Sequence, residues 1–303
     1  MSEAARWVDL IDPTEEELNS HLPPNIHPTA LEILRSPHVH DDEPRPRIES
    51  HGTYVIGILL VAVVAKSKAR VYYQEIDFIL TATELVTVSK TPPGEPPFDP
   101  KPAKDACAPT EPTGMYAYRL VDEVAERYLD LIDDLNDAID DLEDHVQDWK
   151  GAALRGRMSL LRHALLHIRR TLGPTRDAVH QIVDNRIELD DGELFPRDVE
   201  LHFADAYDKL LRASEGLETS RDLLAGVRDY FQAKIAVDQN EVMKRLTVIA
   251  SVLLLPTFIV GLYGQNFRSI PELHWGFGYA WSWGWIVLTT IAQLAFYRWK
   301  RWI

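Results

Sequence analysis

The chain has 303 residues, a single cysteine and a net charge of −15, with 26% charged residues and a mean hydropathy of −0.19. One cysteine excludes an intrachain disulfide and a thiolate metal cage, and the acidic balance disfavours nucleic acid and anionic surfaces while favouring cations as partners. The start, MSEAARWVDL, has no basic region leading into an apolar one, so no signal peptide is expected, and a reducing interior is expected for the long N-terminal part.

Residues 1 to about 90 alternate between strand-like and helical patterns and predict a compact α/β domain. Asp12-Pro13-Thr14-Glu15-Glu16-Glu17 reads as a capped helix start, and His27 to Leu34 as a second short helix. Tyr54–Ala65 is rich in β-branched residues and too short to span a membrane, so it predicts a buried strand. Strands are also expected at Gln74–Ala82 and Glu84–Ser89, with a turn between them. Eight prolines fall between Thr91 and Gly114, which predicts a linker without regular structure.

From Tyr116 the pattern is helical. Twelve acids lie between Arg119 and Asp148, and Val124, Tyr128, Leu131, Leu135, Leu142 and Val146 share one face at coiled-coil spacing. Ala152 to Asn185 is arginine-rich and is expected to break at Gly173-Pro174. An acidic helix before a basic one predicts an antiparallel hairpin with cross-helix charge pairs; a solvated face explains the acids better than a metal site. A further helix starts at Pro196, and a continuous run to Leu262 would be roughly 100 Å long at 1.5 Å per residue. One chain cannot bury such a helix, so it is expected to line an oligomeric stalk.

The end of the chain carries the function. Met243 to Leu262 is almost uncharged and long enough for the roughly 30 Å hydrocarbon core of a bilayer, and it stops at Tyr263-Gly264-Gln265-Asn266. A second apolar run extends from Trp283 to Phe296. Lys244 and Arg245 flank the first run, Arg298, Lys300 and Arg301 follow the second, and the loop between holds only Arg268. This distribution predicts both termini in the cytoplasm and a short external loop. The expected segments are therefore an α/β domain (1–115), a helical hairpin (116–195), a stalk (196–242), a first span (243–262), an external loop (263–280), a second span (281–297) and a basic tail (298–303). A soluble oligomer using 243–262 as a core helix is disfavoured by the paired runs, the basic flanks and the tryptophans.

Asn240-EVMKRLTVIA, Pro256-Thr257-Phe258-Ile259, Gly261, Tyr263-Gly264-Gln265-Asn266-Phe267 and Pro271-Glu272-Leu273 together resemble the CorA family of divalent-cation transporters. Phe203 to Asp208, His27 to Glu32 and the C-terminal tail extend the likeness over essentially the whole chain. The resemblance implies an α/β cytoplasmic domain, a long stalk helix and two transmembrane helices, assembled as a funnel-shaped homopentamer in the plasma membrane, the inner membrane of a bacterium. It implies a central pore lined by Asn240, Met243, Leu246, Thr247, Ala250, Leu254, Thr257 and Gly261. A ring of Gly264, Gln265 and Asn266 at its mouth would be the selectivity filter, and Asp229 a cytoplasmic acidic ring. Asn266 suits outer-sphere recognition of a hydrated ion, because an amide binds its waters without the grip of a carboxylate. The competing reading makes Asn266 a left-handed helix cap. Ordinary helix packing explains the apolar positions equally well, and a solvated face explains Asp229 equally well.

The chain departs from the family in places. Gln265 stands where methionine is usual, which puts Mg²⁺ as sole cargo in doubt. Arg268 replaces a common loop acid, leaving Glu272. The regulatory metal pair of the family matches Asp205 on one side and Ile33 on the other, with Glu32 the nearest acid. No cofactor is expected; Mg²⁺, Co²⁺ and Zn²⁺ are the ions expected as cargo or regulators. Zn²⁺ transport coupled to protons is the alternative, and a non-conducting membrane sensor or scaffold the alternative of another class. No nucleophile–base set or phosphate-binding loop points to an enzyme.

Overall fold

The computed structural model describes residues 5–38, 43–65, 70–190, 193–266, 268 and 270–302. The chain divides into two units, 1–228 and 229–303.

In the first unit five strands, β1 (Arg6–Ile11), β2 (Arg47–Ser50), β3 (Val55–Ala65), β4 (Arg70–Leu80) and β5 (Glu84–Lys90), form one sheet in the order β1-β5-β4-β3-β2. β1 runs parallel to β5 and every other pair is antiparallel. Two short helices, α1 (Glu15–His21) and α2 (Pro28–Arg35), cover one face and bury Leu18, Ala30 and Leu34 against Ile56, Ile79, Val86 and Val88. α1 starts where the acids predict it: Thr14 and Glu17 form a reciprocal capping box. Thr14→Ala is expected to cost about 1 kcal/mol in chemical denaturation while Thr14→Ser keeps most of the cap. Equal stability of all three proteins would refute that role.

The proline-rich stretch departs from expectation. It holds a short helix, α3 (Lys101–Asp105), whose proline sits in the first turn, where no intrahelical N–H is needed. The stretch is also pinned: Gln74 Nε2 donates to the carbonyls of Pro96 (3.0 Å) and Pro97 (3.1 Å), and Phe98 is fully buried under the Arg127 guanidinium at 4.1 Å.

Two long helices follow, α4 (Thr113–Asp144) and α5 (Gly151–Val183), and then α6 (Arg197–Tyr263). The apolar seam from Val124 to Val146 is buried throughout. Tyr128 Oη in that seam lies 2.5 Å from the Leu60 carbonyl of β3 and 2.7 Å from Thr171 Oγ1 of α5, tying α4 to the sheet and to its neighbour. α5 does not break at Gly173-Pro174. An interior proline costs about 3 kcal/mol, but Thr171, Leu172, Thr175 and Ala178 around it are buried. Their packing holds the helix through the proline.

The expected charge pairing is only partly between α4 and α5. Arg157 reaches Asp141 at 3.1 Å in an exposed pair worth little. The tighter cation comes from α6: Lys209 Nζ lies 2.6 Å from Asp122 and 2.7 Å from Glu126. Partial burial works against its charge, but the two carboxylates outweigh this and raise its pKa. Ser220 donates to Asn136 Oδ1 (2.6 Å), and Gly216 lets Ile132 approach so closely that a Cβ there would lie 2.8 Å from Cγ2.

The second unit holds the remainder of α6, which continues through Pro256 to Tyr263, a 3-10 turn at Pro271–His274, and α7 (Gly278–Trp299).

Candidate functional site: the apolar end of α6 and its Gly-Gln-Asn terminus

Helix periodicity divides the apolar end of α6 into faces. Lys244, Val248, Ser251, Val252, Leu255, Pro256 and Ile259 are the better-covered positions, and they recur every three or four residues. Part of that cover is α7: Gln293 Nε2 donates to the Ser251 carbonyl (3.0 Å), and Ser251 Oγ and Tyr297 Oη are 2.7 Å apart. The rest of the circumference is bare. Asn240, Met243, Leu246, Thr247, Ala250, Leu254, Thr257 and Gly261, the positions expected to line a pore, are all exposed, with Leu254 at 68%. Ile249, Leu253 and Val260 are exposed as well. An apolar surface of this extent on one chain marks contact with lipid or with another protein surface. Among the described residues α6 alone is long and apolar enough to cross a membrane.

The two threonines on the bare arc satisfy themselves. Thr247 Oγ1 donates to the Met243 carbonyl (2.8 Å) and Thr257 Oγ1 to that of Leu253 (2.7 Å). Their remaining lone pairs face outward as weak acceptors.

α6 closes with the Gly264 N–H on the Val260 carbonyl at 2.9 Å. A Cβ on Gly264 would lie 3.1 Å from that same oxygen, so a side chain would crowd the last turn. Gln265 and Asn266 are exposed. Asn266 is not among the residues with positive φ, so it is not a left-handed cap. Glu272 sits in the 3-10 turn, half-buried, and its carbonyl would lie 2.2 Å from a Cβ on Gly278, which locks the turn against the start of α7. Aromatic rings gather at both ends of α7: Trp275 and Trp281 are 6.0 Å apart, Trp281 and Trp285 are 5.9 Å apart, and Tyr297 and Trp302 are stacked at 5.8 Å. Phe267 lies outside the described residues.

The acidic positions belong elsewhere. Glu32, on α2, is exposed; Asp205, on α6, is exposed and 3.9 Å from Lys209. Ile33 occupies the position beside Glu32, and its carbonyl accepts a hydrogen bond from Lys90 (2.9 Å). Among the described residues no group of three or more His, Cys, Asp or Glu side chains is placed to hold a metal. Sequence reasoning missed Lys209, the cation that α6 offers to Asp122 and Glu126; its spacing of four from Asp205 was the available signal.

An α/β domain closed by a helix that runs on into a bare apolar segment defines a membrane-inserted class of protein. The chain belongs to the CorA-like Mg²⁺ transporter protein family, whose model matches residues 2–301. It is 27% identical over 282 residues to the cobalt/magnesium transport protein CorA of Thermotoga maritima, covering 92% of this chain and 77% of that protein. YfjQ of Bacillus subtilis is 31% identical over 189 residues, 62% of this chain and 58% of YfjQ, and the zinc transport protein ZntB of Yersinia enterocolitica is 29% identical over 173 residues, 56% of this chain and 51% of ZntB. The chain thus spans little more than half the length of two of these relatives. The solved CorA magnesium transporter from Methanocaldococcus jannaschii superposes with a TM-score of 0.76 at 19% identity, over 98% of this chain and 91% of that one.

Proposed function

We propose that copies of this chain, five as the family resemblance implies, surround a membrane pore that passes hydrated divalent cations, Mg²⁺ and Co²⁺ first. The observation that carries the reading is the bare arc of α6, exposed from Asn240 to Gly261 and ending at Gly264-Gln265-Asn266. A ring of Asn266 amides and Gly264 carbonyls binds the water shell of the ion, because stripping Mg²⁺ of its water is costly. Met243, Leu246 and Leu254 form the dry constriction below it, and Thr257 and Asn240 offer polar stations on either side. Asp229 supplies acidity at the inner end, and Glu272 is the acid of the outer loop. Both termini lie in the cytoplasm in this reading, which the basic residues Lys244 and Arg245 before the apolar end of α6 and Arg298, Lys300 and Arg301 at the end of α7 support. Asp205 and Glu32 are the acids nearest the family's regulatory pair, and with Ile33 at the matching position that site is either carried by Glu32 or lost. Zn²⁺ is the competing cargo, supported by the glutamine at position 265 and the likeness to a zinc transport protein.

The test is ion flux into vesicles containing the purified chain, with Mg²⁺, Co²⁺ and Zn²⁺ offered singly and in competition. Uptake of at least one ion down its gradient is expected. A chain that integrates yet passes none of the three is a sensor or scaffold, and the reading falls. Gln265→Met removes one amide ring and is expected to move the Mg²⁺-to-Zn²⁺ flux ratio about fivefold toward Mg²⁺, the size of one hydrogen bond of about 1 kcal/mol. An unchanged ratio would show that Gln265 does not face the ion.

A further inference from the structure

α7 ends in a turn that its residues do not favour. The Arg301 N–H bonds the Arg298 carbonyl (3.1 Å) and the Trp302 N–H bonds the Tyr297 carbonyl (2.9 Å), the paired bonds of a Schellman turn. That turn needs a left-handed residue, usually glycine, yet Arg301 takes it with φ 55°. The apolar contact of the motif is the stack of Trp302 on Tyr297, and Tyr297 is itself 2.7 Å from Ser251 on α6. A strained residue held by its surroundings is a pointer to function.

The turn folds Arg301 and Trp302 back toward the start of the apolar stretch of α6. With Lys244, Arg245, Val248 and Ile249 they line a groove of about 540 Å³. Three cations border the groove, and among its described lining residues one acid, Glu241, lies 3.9 Å from Arg245. Among the described residues the ion pair of this groove is Arg245 with Glu241, and neither Lys244 nor Arg301 joins one. Like charges gathered by a strained turn repel one another unless an anion sits between them. The groove lies where the basic flank gives way to exposed apolar surface, Ile249 and Leu253 on α6 and Phe296 on α7. A free phosphate would meet the cations and leave Val248, Ile249 and Trp302 unmatched.

We propose that this groove seats the phosphate headgroup of an anionic phospholipid, with its acyl chains lying along the exposed apolar sides of α6 and α7. The two guanidinium groups match phosphate oxygens bidentately, and Lys244 adds a point charge. Trp302 takes the headgroup–acyl boundary, where an indole meets both polar and apolar neighbours. This inference rests on the membrane reading above, but not on conduction.

The test uses the full chain in vesicles of phosphatidylcholine alone or doped with phosphatidylglycerol, with integration checked by resistance to alkaline extraction. Native mass spectrometry then counts the lipids retained in detergent. Wild type is expected to retain phosphatidylglycerol in preference to phosphatidylcholine. Each of Lys244→Gln, Arg245→Gln and Arg301→Gln is expected to lower that preference about fivefold, and the three together about a hundredfold. Arg301→Gly is expected to melt higher, because glycine relieves the turn, while losing the same fivefold preference. An integrated triple variant with unchanged preference overturns the site and leaves the membrane reading standing. Displacement of the lipid by inorganic phosphate alone at equal concentration overturns the phospholipid assignment. Failure of wild type to integrate overturns both.

Discussion

Lys90→Met is expected to destabilise the first unit by about 3–5 kcal/mol above neutral pH, where it strands two buried carboxylates. On β4, Glu75 and Asp77 share a face with Ile79, and Lys90 lies on the matching face of β5 with Val86 and Val88. The apolar core under α1 and α2 therefore runs directly into a buried charge cluster. The Lys90 ammonium lies 2.5 Å from Glu75 Oε1 and 2.8 Å from Asp77 Oδ2, and donates to the Ile33 carbonyl at the end of α2. His38 Nδ1 lies 3.7 Å from the other Glu75 oxygen, and Arg47 acts on Asp77 through space. Asp77 is fully buried and Lys90 nearly so, so water does not screen them.

The pH dependence follows from direction. Burial raises the Asp77 carboxyl to about 7, with Lys90 pulling the other way. Burial would lower Lys90, but Asp77 and Glu75 outweigh it and raise its pKa. A raised group contributes stability below its unfolded value and loses it as pH rises through its folded value. Asp77 is therefore least costly protonated, below about 7, whereas Lys90 stays charged throughout the neutral range. In Lys90→Met the carboxylate loses its cation and its pKa climbs further. The deficit against wild type should then be largest above the variant's raised Asp77 value and shrink as the solution is acidified from there toward about 7, where both proteins come to hold a neutral Asp77 carboxyl. Denaturant unfolding on both sides of that value measures this, and Lys90→Met with Asp77→Asn should recover part of the loss. A deficit independent of pH in both variants would mean that cavity formation, not stranded charge, is the cause.

That cluster was not legible in the sequence, and the reason is physical. Lys90 ends the run Glu84-LVTVSK, where a lysine reads as a strand leaving the core. Only the pairing of β5 with β4 brings it between Glu75 and Asp77, from fifteen and thirteen residues away. Local patterns fared better where local physics decides. The acids after Thr14 announced the capping box, and the spacing from Val124 to Val146 announced the buried seam. They fared worse where packing overrides propensity: α5 passes through Gly173-Pro174, and the proline-rich stretch docks on Gln74 and Arg127. β1 carries no alternation that marks it, because it is an edge strand whose parallel partner, β5, lies far along the chain. At the candidate site the periodicity of 240–261 was visible, and those positions are exposed together with Ile249, Leu253 and Val260, whereas the strain at Arg301 has no sequence signal.

Asn266→Ala is expected to lower divalent-cation flux at least about a hundredfold while leaving the thermal unfolding of the protein unchanged. The separation of the two effects comes from the geometry. Asn266 is exposed, outside the left-handed region, and its side chain makes no hydrogen bond among the described residues. Among the described residues its amide therefore holds no other group in place, and alanine leaves the Gly264 turn on Val260 intact. In the proposed ring of five the loss repeats in every subunit. Even about 0.6 kcal/mol per amide, at the low end for a net hydrogen bond, sums to about 3 kcal/mol, or two powers of ten. Asn266→Asp separates recognition from mere polarity. A ring of carboxylates would hold Mg²⁺ more tightly and release it more slowly, so binding should rise while flux falls. If Asn266→Asp conducts like wild type, or Asn266→Ala loses both flux and folded protein, Asn266 is structural and the ion is recognised elsewhere along α6.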